Sequence, residues 1–225
     1  MIEIIKKVVG PLEENCYTVY RNDTECQSCF LVDPGAGGNA ILKSLEESGK
    51  KPEAIFLTHG HFDHVMAVEW IRKSFPEIKV YALDAEKEVL SDPEKSLLRN
   101  LGGKFDADSV TYLSDGAEFI LAGIPVQVIA TPGHTVGSAC LWLKEDNVLF
   151  SGDTLFLESC GRTDLPTGDR YAIEDSIKKK LMILPDEVRV YPGHGEETTI
   201  GHERKFNFVV MADLVERLRN GGIES

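Results

Sequence analysis

No apolar run in this chain approaches the roughly 20 residues that a bilayer-spanning helix needs. The opening MIEIIKKVVG has no basic start, long apolar stretch or small-residue cleavage site, so no secretory signal is expected. The expected location is the cytoplasm, with no membrane partner. Basic residues are scarce: 24 Lys and Arg stand against 37 Asp and Glu, a formal net charge of -13. Affinity for nucleic acid rests largely on neutralising phosphates with Lys and Arg, so a nucleic-acid partner is not expected. The one dense basic run, IKKKL at 177–181, reads as the solvated face of a helix. Cysteine is limited to five residues, an odd number, and a 225-residue chain can bury a core without disulfide staples. Cys26 and Cys29 have redox or zinc spacing, but no second pair follows them, and RNDTECQSC reads as a hairpin tip.

Repeats, low-complexity segments and Pro/Gly/Ser linkers are also missing, and a single domain over 1–225 is expected. The 42% hydrophobic and 27% charged content is that of an ordinary globular protein. Strand-like runs lead each half: IEIIKKVV, CYTVY and CFLV first, then EFILAG, PVQVIAT, ACLWL and NVLF. Helical spacing follows in NAILKSLEESG and in VMAVEWIRKSF, with its stripe of Val65, Val68, Ile71 and Phe75. Residues 84–109 are polar and helix-prone without a clean period. Further helices are expected over about 171–184 and 202–219, the latter closed by NGG. Strand clusters with helices among and after them predict an α/β fold of two sheets covered by helices, a four-layer αββα sandwich.

Histidine is scarce too, at six residues, yet three fall within LTHGHFDHV at 57–65. His59, His61 and Asp63 alternate, so an extended segment would point them one way, and His64 breaks the alternation, which requires a turn. The four can divide into two pairs serving two metal positions. His134 in VIATPGHT, Asp153 in NVLFSGDT and His194 in VRVYPGHG each follow an apolar strand and a short glycine-containing loop. Four strand ends that each deliver a metal-ligand type can converge at one edge of a sheet. His202 lacks that context and reads as a surface residue. Asp33, at another strand end in VDPG, reads either as a turn residue or as a hydrogen-bond partner of a ligating histidine.

THGHFDH (58–64), PGH (132–134), SGD (151–153) and PGHG (192–195) resemble the metallo-β-lactamase superfamily over about residues 15–207. The resemblance implies an αββα sandwich with two metals at one edge. One would be held by His59, His61 and His134, the other by Asp63, His64 and His194, with Asp153 bridging. NCY (15–17), VDPG (32–35), GRTDLPTGD (161–169) and GHGEETTIGHERKFN (193–207) are most similar to short glyoxalase II-like hydrolases. The chain departs from that group at Phe208, where the group has proline. Too few residues follow His194 for the C-terminal helical domain with which longer glyoxalase II enzymes contact glutathione.

Five imidazoles and two carboxylates without a thiolate suit zinc, the expected metal, and equally iron, manganese or cobalt. Zinc β-lactamases commonly use cysteine where Asp153 stands, which turns the expectation away from β-lactams. The implied reaction is hydrolysis of a small anionic thioester such as S-D-lactoylglutathione, by a hydroxide shared between two divalent ions. Asp63 would also orient that hydroxide, and Arg162 and Lys205 are candidate anchors for substrate carboxylates. Two alternatives share the fold: a lactonase or esterase, and a persulfide dioxygenase. CGRTD at 160–164 also occurs in the dioxygenases, which would hold one iron through His59, His134 and Asp153.

Overall fold

A computed structural model describes residues 1–22, 27–101 and 103–212. Two six-stranded sheets dominate it. The first is built in sequence order from β1 (Ile2–Val9), β2 (Glu14–Arg21), β3 (Ser28–Val32), β4 (Lys51–Phe56), β5 (Lys79–Leu83) and β6 (Val110–Leu113). β1, β2 and β3 are antiparallel neighbours, whereas β3, β4, β5 and β6 run parallel. The parallel pairs need crossovers. These carry α1 (Gly38–Ser48), α2 (Phe62–Val65), α3 (Val68–Ser74) and α4 (Lys87–Leu90).

The second sheet contains β7 (Glu118–Leu121), β8 (Ile124–Ala130), β9 (Ala139–Leu143) and β10 (Val148–Gly152). A two-stranded ribbon, β11 (Leu155–Phe156) with β12 (Ser159–Cys160), then leads to α5 (Arg170–Asp175) and a π-helical turn, Ser176–Leu181. β13 (Arg189–Pro192), β14 (Thr198–Thr199) and α6 (Ile200–Phe206) follow, and the sheet order is β14-β13-β10-β9-β8-β7. β10 pairs parallel with β13, and β9 is antiparallel to both β8 and β10. β8, β10 and β13 therefore end at the same edge.

Period-two patterning sorts side chains into three apolar layers. Phe30, Val32 and Phe56 face Val128, Leu141 and Phe150 between the sheets. Their sequence neighbours Leu31 and Ile55 turn outward onto Ile41, Leu45, Val68 and Ile71 of α1 and α3. Cys140 and Leu149 turn outward onto Ile173 of α5 and onto Ile177 and Leu181. The result is the expected αββα order.

Local differences have physical causes. The helix expected across 65–75 is two helices, because the Ala67 amide donates to Pro34 O (3.0 Å) across the crossover, not back along α2. That break lets α2 aim at the sheet edge while α3 packs on the sheet. In the tail, α6 stops at Asn207, whose Oδ1 accepts from Val209 N at 3.0 Å and caps a helical segment at 208–212. The turn is thus held by Asn207 with Phe208 in place of proline. The hairpin tip with Cys26, and the closing NGG, lie outside the described residues.

Candidate metal centre

The strand ends bring all seven expected ligand side chains together. His59 and His61 follow β4, and Asp63 and His64 sit on α2. His134, Asp153 and His194 follow β8, β10 and β13. The seven form two compact groups, His59–His61–His134 and Asp63–His64–His194, with candidate ligand atoms within 4.8 Å of one another in each; Asp33 with His59 and His64 meets the same distance. Asp153 lies between them: its Oδ1 is 3.4 Å from His64 Nε2, and its Oδ2 is 3.5 Å from His134 Nε2 and 3.6 Å from His194 Nε2. Asp63 Oδ2 is 3.4 Å from His194 Nε2.

Hydrogen bonds behind the rings decide which nitrogen is bare. His64 Nδ1 donates to Asp33 Oδ2 (2.9 Å), His134 Nδ1 to Arg162 O (2.8 Å) and His194 Nδ1 to Leu12 O (3.0 Å). Each acceptor requires the proton on Nδ1, so Nε2 of the neutral ring presents a lone pair inward. Thr58 extends the pattern. Its hydroxyl donates to Asp33 Oδ2 (2.6 Å), leaving an oxygen lone pair for His59 Nδ1–H at 3.2 Å. Asp33 also accepts from Thr58 N at 2.7 Å, so one carboxylate supports a histidine of each group. Of the two alternatives for Asp33, the hydrogen-bonding one is realised, in a left-handed backbone turn (φ 47°).

Burial and neighbouring charge act unequally on the rings. Burial and the neighbouring imidazoles hold His59 well below the usual histidine range, and burial with His134 brings His61 down to about 3. Burial works against charge on His64 as well, but Asp153 and Asp33 outweigh it and raise that ring. Burial opposes ionisation of Asp153, yet His64, His134 and His194 hold it below the usual carboxylate range. Burial pushes Glu14 well above that range; its Oε1 lies 3.9 Å from His64 Nδ1.

The chemistry of this donor set fits divalent cations. His59 Nε2, His64 Nε2 and Asp153 Oδ1 are buried with no hydrogen-bond partner, a costly arrangement that a cation relieves. His61 Nδ1 faces His134 Nε2 at 2.9 Å, two ring nitrogens aimed at common space. Among the described residues, the ion-pair contacts of Asp33, Asp63 and Asp153 are all to histidines, with no Lys or Arg to neutralise them.

The candidate substrate anchors fare differently. Arg162 is exposed and its guanidinium is held by Asp164 at 2.7 and 2.8 Å, while its carbonyl orients His134. Lys205 is exposed on α6, outside the hydrogen-bond network of the site. His202 is half-buried and paired with Glu158 at 2.9 Å. Sequence reasoning missed Thr58, Glu14 and Glu86. Thr58 adjoins the histidine motif and could have been suspected, but Glu86 lies in the segment without a period and carried no signal.

A four-layer αββα sandwich whose strand ends deliver a His- and Asp-rich double cluster defines a class of metal-dependent enzyme. Residues 9–194 match the Metallo-beta-lactamase superfamily, and the chain belongs to that superfamily. It is 35% identical over 215 residues to a probable metallo-hydrolase of Streptococcus pyogenes, spanning 92% of this chain and 90% of that protein. It is 30% identical over 209 residues to a hydroxyacylglutathione hydrolase of Haemophilus influenzae, spanning 92% and 96%. Among solved structures it is similar to the BLEG-1 B3 metallo-beta-lactamase (TM-score 0.84, 35% identity, 93% and 99% coverage). It is also similar to the di-iron-bound form of TTHA1623 (TM-score 0.77, 36% identity, 91% and 98% coverage). The chain is accordingly a metallo-hydrolase of this superfamily, and none of its described helices is long and apolar enough to cross a membrane.

Proposed function

We propose that this chain is a dinuclear thioester hydrolase acting on a small anionic acyl thioester, S-D-lactoylglutathione or a relative of it. The observation that carries this reading is the pair of three-residue ligand groups sharing Asp153. A complete double set serves two metals, whereas a one-iron dioxygenase would leave His61, Asp63, His64 and His194 without a purpose. The hydroxyacylglutathione hydrolase relative supports the substrate class, and the di-iron neighbour supports two metals, with zinc, iron and manganese all compatible with the donors.

Divalent cations held by these side chains would acidify a water near neutral pH and polarise the thioester carbonyl. Asp63, less buried than the histidines of its motif, would accept a hydrogen bond from the attacking water and aim it. Asp33, Arg162 O and Leu12 O accept from the Nδ1–H of His64, His134 and His194 and orient the rings, so that each Nε2 faces inward. A thiolate leaving group, with a pKa near 8.5, departs without a strong general acid. Two divalent ions would carry four positive charges against the carboxylates of Asp33, Asp63 and Asp153, so the loaded edge would draw an anion more readily than the acidic surface around it.

The test is free-thiol release from S-D-lactoylglutathione by the metal-loaded protein, with His134→Ala as control. Release by the parent at a rate at least 100-fold above the variant is the expected result. No release, with turnover of a cephalosporin or of a persulfide with oxygen uptake instead, would sink the thioester reading. A count of one iron per chain would do the same for the two-metal reading.

A further inference from the structure

Glu86 is a fully buried carboxylate contributed by the polar segment between β5 and α4. It is not one of the metal-ligand candidates. Its Oε1 accepts from Gly60 N at 2.6 Å, and its Oε2 accepts from the Thr135 hydroxyl at 2.8 Å. Gly60 stands between His59 and His61, and Thr135 follows His134. One side chain therefore ties the two loops that carry the whole three-histidine group. A Cβ on Gly137 would collide with the backbone of Ala85 and Glu86, so the second loop lies directly against this segment.

Support for the other group comes from elsewhere. His64 is held by Asp33, and His194 by Leu12 O. We infer that Glu86 is a positioning residue for the three-histidine metal position alone, fixing the spacing between the His59–His61 loop and the His134 loop. The inference rests on the two-metal reading above.

Two donors converge on the buried Glu86 carboxyl, one on each oxygen, and burial pushes its ionisation up to about 8. In Glu86→Gln only one oxygen remains to accept, so the Thr135 hydroxyl must turn from donor to acceptor if the Gly60 amide keeps its partner, and the tie between the loops weakens. Groups that orient metal ligands typically change affinity by about 10- to 100-fold when removed. The loss is expected in one metal position, not in both.

The experiment is a cobalt(II) titration of the metal-free full chain, followed by visible absorption and by metal counting after gel filtration. Parent, Glu86→Gln and Thr135→Val are compared. Asp63→Ala, which removes a ligand from the second group, assigns the binding steps. Two cobalt ions per parent chain are expected. Glu86→Gln and Thr135→Val should both weaken the step that Asp63→Ala spares, by at least about tenfold, and leave the other unchanged. Parental affinity and spectrum in Glu86→Gln would overturn the inference while leaving the metal reading intact, and so would equal weakening of both steps. A parent that binds no cobalt would remove the metal reading and this inference with it. Thr135→Val keeps the side-chain shape and decides the matter if Glu86→Gln does not fold.

Discussion

Asp33 does the work of two residues with one carboxylate. It bonds His64 directly and reaches His59 through the Thr58 hydroxyl. It does so from a left-handed backbone conformation, which a non-glycine residue adopts only when its surroundings over-determine it. Asp33→Asn keeps the shape but puts an N–H where the carboxylate accepted three hydrogen bonds. Metal affinity is expected to fall by about 10- to 100-fold. Competition with a chelating indicator dye measures it, and unchanged affinity would mean that Asp33 is only a turn residue.

At the scale of elements, the site is a consequence of strand direction. β8, β10 and β13 are parallel to one another within their sheet, and so are β3 and β4 in the other. All these strands release their loops at the metal edge. The loops must then pass close together, which is why some positions hold no side chain. Gly193, just before His194, is such a position: a Cβ there would run into Asp153 Oδ1 and reach within 2.7 Å of His64 Cε1. Gly193→Ala should displace the shared Asp153 and His64 of the second group. Thiol release is expected to fall by more than tenfold, in line with the roughly 100-fold cost of an ångström of misplacement. The melting temperature of the metal-free protein, read by circular dichroism, should shift by only a few degrees.

At the scale of the whole molecule, the two halves are joined by the apolar layer between the sheets and by the metal edge. β4 and α2 supply four ligand side chains from one half; β8, β10 and β13 supply three from the other. Metal binding is therefore linked to global stability and not to a loop alone. A free metal concentration 100 times the dissociation constant contributes about 2.7 kcal/mol per site. For a chain of this size each kcal/mol is worth roughly 2–4 °C. Stripping metal with a chelator should lower the melting temperature by roughly 5–10 °C for each site emptied, and restoring zinc, iron or manganese should recover it. A melting curve indifferent to chelator would argue against metal at this edge.

The sequence by itself determined the layers and the ligand set. Strand-length apolar runs at period two decide which side chains face the inter-sheet core, and Phe30 and Leu31 already differ by alternation alone. Histidines at three strand ends and an aspartate at a fourth announce the metal edge, because few other roles place such residues there together. The tertiary structure alone decided which groups stand behind those histidines. Arg162 acts through its carbonyl, Leu12 through its own, and Glu86 through contacts 26 and 49 residues away. Such partners follow from how loops cross in space, and a backbone carbonyl has no residue identity to read. The helix break at Met66–Ala67 belongs to the same category, since it depends on an amide choosing Pro34 O across a crossover. Local periodicity is written residue by residue, while the supports of a metal site arise only when distant strand ends meet.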